Sequence, residues 1–135
     1  MTFRFDFRVY VEDTDMGGIV YYVNYLKFFE RARSELLRSV NVQQYQLQQE
    51  GLLFVVHDVQ CRYHKSACLD DELIVEVDIK QLSGARMVFV QRAYRKSDSA
   101  LLCSAEIVVA SVSAQTMRPI RLPMALYEKI KDFAI

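Results

Sequence analysis

Phe3, Phe5, Phe7, Val9 and Val11 alternate with Arg4, Asp6, Arg8 and Tyr10, the period of two that a strand with one buried face requires. The pattern predicts a first strand over residues 3–11. From Tyr25 the rhythm changes. Tyr25, Phe28, Phe29, Ala32, Leu36 and Leu37 recur at intervals of three and four, while Lys27, Arg31, Arg33, Glu35 and Arg38 fall mostly elsewhere. That is one long amphipathic helix, ending near Asn41. Gln43 to Glu50 predicts a short helix closed by Gly51, since glycine readily takes the left-handed conformation at a helix end. Strands rich in valine, isoleucine, phenylalanine and tyrosine follow over about 53–64, 72–82, 86–95 and 100–113. Leu82-Ser83-Gly84-Ala85 and Lys96-Ser97-Asp98-Ser99 supply hairpin turns. Pro123 suits the first turn of a terminal helix in which Met124, Tyr127, Ile130 and Phe133 or Ala134 share a face. One long helix followed by consecutive strands predicts an α+β fold, an antiparallel sheet packed on one face by the helix.

The chain has 135 residues, 52% of them hydrophobic, enough for a single domain over 1–135 with a real core. Lysine plus arginine equals aspartate plus glutamate, 17 of each. This balance argues against a broad basic face for nucleic acid, so no nucleic-acid partner is expected. No run of about 18 apolar residues is present, so no transmembrane segment is expected. The N-terminus reads as a strand rather than a signal peptide. Cys61, Cys68 and Cys103 form an odd set without a Cys-x-x-Cys pair, which suits a reducing compartment. A soluble, cytoplasmic protein is the expectation.

Between the first strand and the long helix lies Glu12-Asp13-Thr14-Asp15-Met16-Gly17-Gly18-Ile19-Val20-Tyr21-Tyr22-Val23-Asn24-Tyr25. Such a junction can place a carboxylate beside a helix N-terminus, whose unsatisfied N–H groups carry the positive end of the helix dipole. A polarised carbonyl oxygen held there suits hydrolysis of an ester or thioester. Read from the residues alone, Asp13 and Asp15 serve equally well as turn and cap groups. Asn24 either positions substrate or water or caps the helix. Gly17 and Gly18 permit close backbone approach and a positive φ, or simply an ordinary tight turn.

Asp13-Thr14-Asp15, Gly18-Ile19-Val20, Asn24-Tyr25 and Phe28-Phe29-Glu30-Arg31-Ala32-Arg33 resemble the signature of the 4-hydroxybenzoyl-CoA thioesterase branch of the hotdog fold. Taken with Phe54-Val55-Val56, Leu69-Asp70-Asp71 and Val90-Gln91-Arg92, the chain is similar over nearly its whole length to the bacterial acyl-CoA thioesterases associated with the Tol-Pal system. The resemblance implies a hotdog, an antiparallel sheet wrapped round one long central helix. It also implies a homo-oligomer in which dimers pair into tetramers, and a place in lipid metabolism. Asp15 matches the catalytic aspartate, acting as nucleophile or general base, and the backbone N–H of Tyr22 is expected on the thioester carbonyl. Coenzyme A is then part of the substrate and no separate cofactor is needed. Its phosphates ask for a cationic rim, for which Lys65, Ser66 and Arg86 are candidates, with Arg118 and Arg121 beside them. The rival reading is a non-catalytic hotdog scaffold that binds acyl carrier protein or envelope-associated partners; a third is another α+β roll that binds an apolar ligand.

Other constellations are weaker. Cys61-x-x-His64-x-x-x-Cys68 has zinc-like spacing, but residues three apart on a strand face opposite ways and no fourth ligand is evident, so no metal is expected. His57 is placed with Val55, Val59 and Cys61 on one strand face, a core or interface position. Neither histidine lies on the long helix, which disfavours a dehydratase, and no Gly-x-Ser-x-Gly elbow occurs. Glu30, Arg31 and Arg33 are expected to form a solvated face or local ion pairs, with an arginine as the partner of Glu30 if that residue is buried.

Overall fold

Tyr25, Phe28, Phe29, Ala32, Leu36 and Leu37 form the buried stripe of α1 (Asn24–Ser39), as their spacing predicts. The helix stops where Asn41 takes φ 62, a left-handed geometry that asparagine tolerates better than most residues. In this computed structural model, which describes residues 1–135, the stripe lies in the concave face of a five-stranded sheet. The strands are β1 (Phe3–Arg8), β2 (Leu52–Tyr63), β3 (Glu72–Ser83), β4 (Arg86–Arg95) and β5 (Leu101–Ser113). Their order is β1-β3-β4-β5-β2, and every neighbouring pair is antiparallel. The sheet therefore wraps the one long helix, as the resemblance implies.

The period-two alternation puts Leu73, Val75, Val77 and Ile79 of β3 into the core, where they meet Met87, Phe89 and Ala93 of β4 and Ile107 and Val109 of β5. Phe7 of β1 packs on Phe28 with ring centroids 4.5 Å apart. Fully burying each such aromatic contributes about 1.5–3 kcal/mol. Two smaller helices close the ends, α2 (Gln44–Gln49) and α3 (Met124–Ile130). Gly51, with φ 91, turns the chain from α2 into β2, as its place in the sequence suggests.

Three expectations are corrected. The first strand ends at Arg8, because the Asp13 carboxylate accepts the Tyr10 N–H at 2.9 Å and pulls Val11–Asp13 into one turn of 3-10 helix. Val11 is consequently 71% exposed rather than on the core face. The buried stripe of α3 is Leu126 and Ile130, continued by Leu122 before it and Phe133 after it; Met124 and Tyr127 are exposed. Spacing of four from Leu122 sets that face, and it outweighs the alternative. Finally, the β2–β5 register shifts between Val56 and Asp58, which makes His57 the extra residue of a bulge. A bulge reverses the side-chain phase, so Val55 pairs opposite Ala110 while Val59 and Cys61 pair opposite Ile107 and Ala105. The four do not share a face.

Candidate active site

Three segments meet at one end of the sheet. Thr14 and Val20 bridge to close the acidic loop, Ile19 bridges to Cys68, and the Val20 N–H donates to the Ala67 carbonyl at 2.9 Å. The first turn of α1 joins them through Tyr25, whose hydroxyl accepts the Ala67 N–H at 3.1 Å. Burial pushes the Tyr25 hydroxyl above its ordinary pKa, so it stays a neutral tether. Arg95 secures the other side, donating to the Ser66 carbonyl at 2.8 Å and pairing with Asp71 at 3.2 Å.

Within this frame the two aspartates differ. Asp13 is buried, its Oδ2 occupied by the Tyr10 N–H and its carbonyl accepting both the Tyr21 N–H at 3.0 Å and the Asn24 side-chain amide at 2.8 Å. Asp15 sits exposed at the loop tip. Its Oδ1 accepts the Gly17 N–H at 3.0 Å and its carbonyl accepts the Gly18 N–H at 3.0 Å, while Oδ2 has no partner in the chain. Gly18 has φ 76, a conformation that a residue with a side chain adopts only with strain.

The positive end of α1 is beside this loop. The first bonds of the helix run from the Asn24 N–H to the Tyr21 carbonyl at 2.8 Å and from the Tyr25 N–H to the Tyr22 carbonyl at 3.4 Å. The N–H groups of Tyr22 and Val23 donate to nothing in the chain, the state expected of a helix start with no side-chain cap. Asn24 does not supply that cap, since its amide is buried against Asp13. It instead ties the helix start to the acidic loop. Asn24→Ala is expected to lower the unfolding free energy by about 1–3 kcal/mol, the cost of leaving the Asp13 carbonyl short of a buried donor, as read from urea denaturation. An unchanged midpoint would contradict that role.

Lys65 and Ser66 adjoin the junction and are exposed. Arg86, at the first position of β4, lies at the other end of the strands with Arg118 and Arg121 near the end of β5. β4 alone separates the groups by about 30 Å. Within one chain the candidate cations thus form two clusters, not one rim.

Cys61 meets Cys103 at 3.3 Å, and His64 turns to Ser104 at 3.0 Å, so the zinc-like trio does not converge. Burial pushes the Cys103 thiol well above its ordinary range, leaving it a poor nucleophile.

Two features escaped the residue pattern. Tyr22 stacks edge-on to Tyr63, which stacks on Tyr25, at 5.8 Å in both cases, so the helix start carries an aromatic wall. Arg33, expected on a solvated face, is drawn toward the sheet: its Nη1 donates to Gln91 Oε1 at 2.9 Å, and Gln91 Nε2 donates to the Phe29 carbonyl at 2.9 Å. Burial holds the Arg33 pKa down to about 10. Glu30 is exposed and accepts from Ser34 instead. A fully buried glutamine in an apolar strand was the available signal, since such a group requires partners.

A sheet wrapped on a helix, with a carboxylate loop at the helix start, defines a class that the comparisons name. Residues 9–130 match the Thioesterase-like superfamily, and the chain belongs to that family, with the hotdog fold. It is 44% identical over 122 residues to the acyl-CoA thioesterase YbgC of Haemophilus influenzae, covering 90% of this chain and 88% of that protein. It is 40% identical over 130 residues to the acyl-CoA thioester hydrolase YbgC of Escherichia coli O6:H1, covering 96% of each. A 1,4-dihydroxy-2-naphthoyl-CoA thioesterase from Synechocystis, 22% identical, superposes with a TM-score of 0.92 over 98% of this chain and 97% of that one.

Proposed function

We propose that the chain hydrolyses acyl-CoA thioesters to free acid and coenzyme A, with Asp15 as the reacting carboxylate and the Tyr22 N–H as the oxyanion donor. The observation that carries this reading is the division of labour in the loop: Asp13 is buried, with Oδ2 and its carbonyl tying the loop to Tyr10, Tyr21 and Asn24, whereas Asp15 is exposed at the tip of that loop, which adjoins a helix start with unpaired N–H groups. Asp15 either attacks the thioester carbonyl to give a mixed anhydride that water then opens, or takes a proton from the attacking water. In both routes the C–S bond breaks, and the thiolate, from an acid of pKa roughly 8.5, leaves without strong protonation. Negative charge on the carbonyl oxygen is met by the N–H groups and the helix dipole. Gly17 orients Asp15 through its N–H, and Gly18 makes the turn. Release of free thiol from acyl-CoA esters is the direct assay, and a wild type inert toward all of them would sink the reading.

The separated cations support a site shared by two subunits. β2 is a sheet edge of 12 residues, and unpaired edges invite pairing. Antiparallel pairing of two β2 strands would lay one subunit's Lys65 and Ser66 beside the end of the other that carries Arg86, Arg118 and Arg121. Light scattering is expected to give at least twice the 15.7 kDa of the chain; a stable monomer would remove the shared rim. A homotetramer, an acyl carrier protein partner, a Tol-Pal-associated role in lipid metabolism and a cytoplasmic location accompany this reading, supported by the family resemblance. No helix is long and apolar enough to cross a membrane.

A further inference from the structure

Leu26, Glu30, Arg33 and Leu37 recur at four, three and four residues along α1, so they form one stripe. Two clefts run along this stripe. The first, of about 430 Å³, starts at Val23 beside the unpaired N–H groups and is lined by Leu26, Val56, Val59 and Ile107. The second, of about 130 Å³, is lined by Leu37, Phe54, Met87, Phe89 and Val109. They share Glu30, Arg33 and Val56, and so form one groove; exposed Lys27 and Arg31 edge the first cleft, Ser34 and Gln44 the second, and Arg33 is the cation drawn into the apolar part.

The guanidinium of Arg33 is poorly satisfied. It makes one hydrogen bond, to the neutral Gln91, and lies 5.9 Å from the centre of the Phe89 ring. It takes part in none of the chain's ion pairs. Glu35, its nearest acid in sequence, pairs with Arg38, and Glu30, whose charge acts on Arg33 without a direct ion pair, accepts from Ser34 at 2.9 Å. A desolvated guanidinium with spare donors in an apolar groove is built for a carboxylate, which it can grip with charge-assisted bonds.

Resting on the thioesterase reading, we propose that this groove holds the acyl chain and that Arg33 binds a carboxylate at its far end, so that the preferred substrates are ω-carboxyacyl-CoA thioesters. The reach is suitable. Ten residues of helix from Val23 to Arg33 rise about 15 Å, and helical side chains lean back toward the N-terminus, which shortens the gap. Three backbone bonds span roughly 3.8 Å, so a chain of roughly eight to twelve atoms connects the carbonyl to the guanidinium.

The test compares kcat/KM for the decanoyl and decanedioyl monothioesters of coenzyme A. Wild type is expected to favour the decanedioyl ester at least about tenfold, the scale of one charge-assisted contact. Arg33→Met should abolish that ratio and Arg33→Lys should restore part of it. A wild-type ratio at or below one overturns the inference whether or not the variants fold; it is also the outcome if a carboxylate from a second copy of the chain occupies Arg33. A ratio unchanged in Arg33→Met overturns it too. Hydrolysis of neither ester by wild type would overturn this inference, and the thioesterase reading falls with it only if wild type is inert toward every other acyl-CoA ester as well, whereas hydrolysis of both without preference removes only the role of Arg33.

Discussion

Asp15→Asn lowers kcat for acyl-CoA hydrolysis roughly a hundred- to ten-thousand-fold, the range for loss of a positioned base or nucleophile. Asparagine keeps the side chain's size and its Oδ1, so the bond from the Gly17 N–H and the loop geometry persist while the anionic oxygen is lost. Because Asp15 is exposed, stability should change by less than about 0.5 kcal/mol. KM should move little, since the carboxylate is asked to act on the reacting carbonyl rather than to hold coenzyme A. Asp13→Asn is the comparison: an amide oxygen can still accept the Tyr10 N–H, so its effect on kcat should be far smaller. Free-thiol release measured on wild type and both variants decides the matter. Equal losses at the two positions, or full activity in Asp15→Asn, would remove Asp15 from the chemistry.

Phe29→Ala is expected to cost about 3–5 kcal/mol of stability, which lowers Tm by about 10–20 °C for a domain of this size. Phe29 is 0% exposed in the middle of α1, and its carbonyl anchors Gln91, which in turn holds Arg33. Removing the ring leaves a cavity between helix and sheet that the surrounding strands cannot fully close. Since native proteins are stable by only about 5–15 kcal/mol, the loss is a large fraction of the whole. Met124→Ala is the matched control. Its position in α3 reads as core-facing in the sequence, yet the residue is 69% exposed, so its loss should change stability by less than about 0.5 kcal/mol. Thermal unfolding followed by circular dichroism separates the two; a large effect at Met124 would contradict the α3 face described above.

Local periodicity made most of the architecture legible. Alternation marked the first strand and the three-four rhythm from Tyr25 marked α1, because burial of one face imposes those periods on any sequence, while β-branched and aromatic composition between turn signals marked the other four strands. Where two registers competed, local pattern was insufficient. The alternation runs on through Val11, but the strand does not, because Asp13 bonds backwards to Tyr10 and bends the chain. The bulge at His57 leaves the composition of β2 unaltered yet reverses its phase; only pairing with β5 reveals it. The face of α3 depends on what Leu122 and Leu126 find beneath them.

By itself the sequence determined one long helix, an antiparallel sheet and an acidic junction at the helix start, because these follow from spacing and local turn chemistry. Its likeness to a thioesterase family singled out Asp15. Only the tertiary structure decided that Asp13 is buried and Asp15 exposed, that Lys65 and Arg86 stand at opposite ends of the strands, and that Arg33 is drawn into a groove without a direct ion pair. Each of those outcomes depends on groups distant in sequence meeting in space, as Gln91 meets Arg33 across 58 residues, and no local pattern encodes such a meeting.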